Sequence, residues 1–148
     1  MLRADIFKLK GNINSIFDIP KKKFWKKNDS LQIFDNNKIF ENSESLIQML
    51  ETFYKYGYVI IENTQAVENE VLNFAEKIGS VRTTNWGKLF NVVSKPNPND
   101  LAYTALELKS HSDNPYRKPV PGIQLLHCIA NESTGGDSSL VDGFSVAE

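Results

Sequence analysis

The chain has 148 residues, enough for one domain or a piece of a larger one. A formal net charge of -1 excludes a general electrostatic pull toward nucleic acid or an acidic membrane, and a single cysteine, Cys128, excludes an intrachain disulfide. No apolar run approaches the ~18 residues of a membrane helix. The opening residues Met1 to Lys8 carry Arg3, Asp5 and Lys8 where a signal peptide needs an apolar core, so a soluble chain in a reducing compartment, most simply the cytoplasm, is expected.

Residues 1–42 are rich in Lys, Asn and Asp and weakly periodic, which predicts a loosely structured lead-in with one short strand pair around Leu31 to Phe40. Within it Lys21, Lys22, Lys23, Lys26 and Lys27 surround Phe24 and Trp25; so short a block reads as a solvated basic segment. The domain proper is placed at residues 43–148. Asn42 or Ser43 caps a first helix whose apolar face is Leu46, Ile47, Leu50, Phe53 and Tyr54, and Gly57 ends it. Tyr58 to Ile61 reads as a buried strand. A second helix carries Val67, Val71, Phe74 or Ala75, and Ile78 on one face, with Gly79 as its stop.

Short strands are then expected at Leu89–Val93 and Leu101–Leu108, separated by the Pro96 to Asp100 loop. The run Ile123–Ala130 is apolar on both faces and reads as a central strand, with Cys128 as a buried thiol. Thr134-Gly135-Gly136-Asp137 is a tight turn, and Ser139–Val141 returns as a strand. Ser145 and Glu148 have the spacing of a capping box, so the sequence stops on the first turn of a helix, and a truncated domain is expected.

The chemistry-bearing pair is His111 and Asp113. On extended backbone, side chains two apart leave the same face, so an imidazole and a carboxylate can converge on one ion. That donor set suits non-haem Fe(II) in a facial triad, although the spacing alone also fits a polar surface loop. The surrounding run decides more. The stretch Leu101 to Cys128, containing His111-Ser112-Asp113-Asn114-Pro115-Tyr116 and Pro121-Gly122-Ile123-Gln124-Leu125-Leu126-His127-Cys128, is followed by Gly135-Gly136-Asp137-Ser138-Ser139-Leu140-Val141-Asp142-Gly143-Phe144. From Ser45 to Glu148 the chain resembles the TauD/TfdA family of Fe(II)- and 2-oxoglutarate-dependent dioxygenases, most of all its gamma-butyrobetaine hydroxylase branch, which serves carnitine biosynthesis.

The resemblance implies an α+β fold: a partial double-stranded β-helix (jelly roll) with two flanking N-terminal helices. It implies Fe(II) and 2-oxoglutarate as cofactors, with O2 and a small trimethylammonium compound as substrates, gamma-butyrobetaine or trimethyllysine. His111 and Asp113 match the first two metal ligands. Ser138 matches the hydroxyl that meets a 2-oxoglutarate carboxylate, a charge-assisted hydrogen bond at a tight turn, where it would otherwise only cap that turn. Trp86, Phe90 and Tyr103 fall at the positions of an aromatic cage for a quaternary ammonium, which cannot donate a hydrogen bond; ordinary packing is the other reading.

Asp100 departs from the pattern, because an amide facing the substrate carboxylate is expected there. His127 matches a family histidine that does not bind metal and reads as a hydrogen-bonded core residue. The family's distal histidine and its 2-oxoglutarate-clamping arginine are matched by nothing here, since Arg3, Arg82 and Arg117 stand elsewhere. The chain alone is therefore expected to turn over little, and an uncovered apolar strand edge is expected to promote dimerisation or aggregation. A non-catalytic quaternary-ammonium binding module, or a half-domain completed by a partner chain, is the alternative reading.

Overall fold

The computed structural model describes residues 20–104, 106–132 and 134–148. Most of the expected lead-in, residues 1–19, lies outside the described residues, as do Ala105 in the expected strand 101–108 and Ser133 beside the Gly-Gly turn. The described chain divides into two units: Val67–Ser139, and the residues up to Ala66 together with Leu140–Glu148.

The second of these units contains a parallel strand pair. β1 (Ile33–Asp35) pairs with β2 (Ile60–Glu62) in the register Ile33 to Ile60, Phe34 to Ile61 and Asp35 to Glu62. Parallel strands need a crossover, and α1 (Asn36–Ile39) with α2 (Ser43–Tyr56) supplies it. The expected strand pair over 31–40 is thus one strand followed by a helical turn. Asp35 ends β1 and caps α1, its carboxylate accepting the Asn37 N–H at 3.0 Å.

Asn42 caps α2 by accepting the Ser45 N–H at 2.8 Å, and Gly57, at φ 80°, closes it in the left-handed region. The buried stripe of α2 is centred on Met49, which is 2% exposed, with Leu46, Leu50 and Phe53 beside it. Ile47 and Tyr54, expected on that face, are exposed. The spacing 46, 49, 50, 53 keeps a narrower stripe at 3.6 residues per turn, and Met49 and Ile39, each 2% exposed, are the buried residues described in this unit.

The last four carbonyls of a helix lack intrahelical donors. In α2 all four find one. Gly57 N–H donates to Phe53, Lys22 Nζ to Tyr54, Lys23 N–H to Lys55 at 2.8 Å, and Trp25 Nε1–H to Tyr56 at 2.9 Å. Lys22 also lies 3.9 Å from the Tyr54 ring centroid. The basic segment is therefore a C-terminal clasp on α2, where cations complement the helix dipole. Trp25 extends the clasp to α4 (Gly143–Ala147), since Asp142 accepts the Trp25 N–H at 2.9 Å and Phe24 stacks on Phe144 at 5.8 Å. Asp142 also caps α4, accepting the Phe144 N–H at 3.1 Å, so Ser145 sits inside the helix rather than opening it.

The Val67–Ser139 unit holds α3 (Glu70–Ile78), whose Phe74 is its buried anchor at 7% exposure. Val67 precedes the helix and is exposed. After α3 the expected strands do not form ladders. Leu101–Tyr103 is a single 3₁₀ turn, and 89–93, 123–130 and 139–141 pair with no neighbour among the described residues. The jelly roll expected from the sequence is accordingly not what the described residues build: a mixed α/β arrangement with one two-stranded sheet. The physical reason is that a strand is stable only with its backbone groups paired across a ladder, and the apolar pattern of 123–130 meets no partner here. Leu126 is 77% exposed, and Cys128, expected buried, is exposed and free. Among the described residues no helix is long and apolar enough to cross a membrane.

Candidate functional site

His111 and Asp113 face each other across Ser112, with a bend in the chain at Asp113, and Asn114 then turns the chain at φ 48° with Arg117 N–H returning to the Asn114 carbonyl at 3.1 Å. His111 Nδ1 lies 2.7 Å from the Lys109 carbonyl. A carbonyl only accepts, so Nδ1 carries the proton of that bond. Nε2 is left to face Asp113 Oδ1 at 3.2 Å. The other carboxylate oxygen, Oδ2, accepts from Gln124 Nε2 at 2.8 Å.

With Nδ1 protonated, the neutral imidazole presents a bare lone pair to a carboxylate oxygen. Two acceptors at this distance need a cation, either a proton on Nε2 or a metal ion. Two ligands about 2.1 Å from a first-row ion and at right angles stand about 3 Å apart, so the observed edge fits such an ion. Both side chains are about half exposed, at 53% and 40%, so an ion reaches them from solvent. Among the described residues no group of three His, Cys, Asp or Glu side chains assembles around them.

The other candidate residues are held by their own local structure. Gly135 and Gly136 both take positive φ, 91° and 77°, backbone that glycine adopts without a Cβ penalty. Ser138 lies exposed just after this glycine pair, and among the described residues no hydrogen bond joins it to His111 or Asp113. Trp86 is carried on a four-residue loop closed by reciprocal bonds between Thr84 and Gly87, each 3.0 Å, with Gly87 at φ 91°. Its ring is tilted 45° to that of Phe90 at 6.3 Å, and both rings are half exposed.

Each of two cage candidates already holds a cation. Arg117 Cζ lies 4.9 Å from the Trp86 ring centroid, and Lys95 Nζ lies 3.8 Å from that of Tyr103. These faces attract positive charge, as a quaternary ammonium site requires. The structure thus joins Trp86 with Phe90, whereas Tyr103 is engaged by Lys95. Asp100 caps the 3₁₀ turn, accepting the Ala102 N–H at 2.9 Å. His127, expected to be hydrogen-bonded, instead has both ring nitrogens buried without a hydrogen-bond partner among the described residues. Gln124 was passed over in the sequence. Its signal was being the lone amide in an apolar run.

The sequence pattern of the family described as taurine catabolism dioxygenase TauD, TfdA family matches residues 21–148. The chain belongs to that family. Among curated relatives, it is 35% identical over 129 residues to the gamma-butyrobetaine dioxygenase of Pseudomonas sp. strain AK-1, covering 87% of this chain and 34% of that protein. It is 37% identical over 114 residues to the mitochondrial trimethyllysine dioxygenase of Homo sapiens, covering 77% and 27%. With the human gamma-butyrobetaine dioxygenase it shares 33% over 129 residues, covering 87% and 33%. The chain spans about a third or less of the length of these relatives. They are named dioxygenases, so the chain sits in an oxygenase family.

Proposed function

We propose that this chain supplies metal, cosubstrate and substrate contacts to an Fe(II)- and 2-oxoglutarate-dependent dioxygenase that hydroxylates a C–H bond of a small trimethylammonium compound. The observation that carries this is the 3.2 Å edge between His111 Nε2 and Asp113 Oδ1, set in a TauD/TfdA sequence. Bound there, Fe(II) supplies the activation of O2 that is coupled to decarboxylation of 2-oxoglutarate to succinate. His111 and Asp113 hold the ion, and Ser138 donates its hydroxyl proton to a 2-oxoglutarate carboxylate. Trp86, Phe90 and Tyr103 offer ring faces to the trimethylammonium group, with Arg117 and Lys95 displaced from them. The fold proposed for the catalytic domain is the family's double-stranded β-helix, with 123–130 as one of its strands.

The relatives named for gamma-butyrobetaine and for trimethyllysine point to substrates that share the quaternary ammonium. Asp100 disfavours a substrate whose own carboxylate lies against it. The test is anaerobic calorimetry of 2-oxoglutarate binding with and without Fe(II). Binding that requires the metal, is lost in His111→Ala and weakens in Ser138→Ala is the expected result; binding indifferent to Fe(II) contradicts it.

The Trp86–Phe90 pair favours a second reading, a quaternary-ammonium binding module without catalysis. Trp86 fluorescence titrated with gamma-butyrobetaine separates the two. Full binding in metal-free protein supports the module, and binding that needs metal and 2-oxoglutarate supports the enzyme.

A further inference from the structure

We propose that Gln124 is a positioning residue: its amide clamps Asp113 Oδ2 so that Oδ1 is held toward His111 and the metal position. This inference rests on the metal reading above and assigns a role outside the ligands themselves. The clamp joins residues 11 apart in sequence, at 2.8 Å, from a polar side chain that interrupts the apolar run Ile123–Ala130. The carboxylate can only accept, so the amide nitrogen, not the amide oxygen, faces it. On its own the Asp113 carboxylate turns freely about its terminal torsion, which is broad and two-fold. Fixing one oxygen fixes the other.

The chemistry of the side chain matters. An amide orients the carboxylate by one N–H and leaves its charge for the cation. A lysine or arginine there would neutralise Asp113, and a glutamate would repel it. The Lys109 carbonyl does the matching work for His111, holding Nδ1 at 2.7 Å and so directing Nε2 outward. Both donor atoms are therefore aimed by neutral groups before any ion arrives, the arrangement by which outer partners fix ligand orientation and raise affinity.

Three measurements on the 148-residue chain test it. Calorimetric Co(II) titrations compare wild type, Gln124→Met and Gln124→Asn. The expected result is a loss of affinity of about tenfold or more in Gln124→Met, partly rescued in Gln124→Asn, with the metal-free melting temperature unchanged. In an Asp113→Ala background, Gln124→Met has no further effect. In metal-free protein, the Gln124 side-chain amide resonance, identified by its loss in Gln124→Met, shifts on Asp113→Ala.

The outcomes separate cleanly. Gln124→Met binding Co(II) like wild type, while His111→Ala loses it, overturns the positioning role alone. Co(II) affinity untouched by His111→Ala sinks the metal reading beneath it. An amide resonance that ignores Asp113→Ala shows that the clamp does not exist, whatever the metal does.

Discussion

Asn114 sits at φ 48° directly after Asp113, and its side-chain oxygen accepts the Tyr116 hydroxyl at 2.9 Å. Asparagine tolerates that left-handed backbone, and a β-branched residue does not. Asn114→Val is expected to destabilise the chain by about 1–2 kcal/mol, read from the urea midpoint, and Asn114→Gly by much less. Equal effects of the two would contradict the backbone argument. At Trp86, removing the competing guanidinium in Arg117→Ala is expected to strengthen tetramethylammonium binding, by about two- to fivefold for a half-exposed cation–π contact. A fluorescence titration checks it, and unchanged or weaker binding means that Arg117 supports the ring rather than competing for it. The proximity of His111 and Asp113 was legible in the sequence because residues two apart are local neighbours, although the chain bends at Asp113 where an extended segment was expected. Gln124, Arg117 and Lys95 were not, because each reaches its partner through a chain path that residue spacing does not encode.

The boundaries of α2 were legible for the same local reason: Asn42 offers a cap and Gly57 a left-handed stop. A Cβ at Gly57 would meet nothing within 4 Å, so Gly57→Ala isolates the backbone cost. That cost is expected at about 1 kcal/mol, measured by chemical denaturation. The clasp over the α2 carbonyls was not legible, since Trp25 and Tyr56 are 31 residues apart. Trp25→Phe keeps the ring and removes the Nε1 donor, with an expected loss of about 1 kcal/mol. The capping-box spacing at Ser145 misled because Asp142, three residues earlier, satisfies the same end of α4.

Asp142 also carries a pH signature. Its carboxyl is held below the ordinary carboxylate value, chiefly by the Trp25 backbone N–H and further by the Ser145 hydroxyl. Asp35 is lowered as well, chiefly by the Asn37 backbone N–H. In the acid range the unfolded chain therefore binds more protons than the folded one, so stability rises with pH there. The contribution is complete above the unfolded value of about 4 and disappears as pH falls through the lower folded values. Urea midpoints taken from pH 6 down to 2 are expected to fall, with a shallower fall in Asp142→Asn. Parallel curves would rule Asp142 out as a source.

At the scale of the whole molecule the main departure from expectation is the missing ladder. Alternation and apolar runs mark which residues favour a strand, but only a neighbour supplies the backbone pairing, and nothing local names that neighbour. Leu106 and Leu126 are left 68% and 77% exposed, with Ile129, Leu140 and Val141 also open to solvent. Apolar surface of this kind drives association. The isolated chain is expected to bind a hydrophobic dye and to show concentration-dependent mass by light scattering, with a second copy covering these side chains. A dye-negative monomer across the concentration range would contradict this.

The central claim is that His111 and Asp113 jointly hold a divalent ion. Paramagnetic broadening by Mn(II) in an amide-resolved spectrum of the chain tests it most directly. The account predicts broadening that starts at residues 110–114 and at Gln124, and that disappears in both His111→Ala and Asp113→Ala. Broadening centred elsewhere, or surviving either substitution at 110–114, would contradict it.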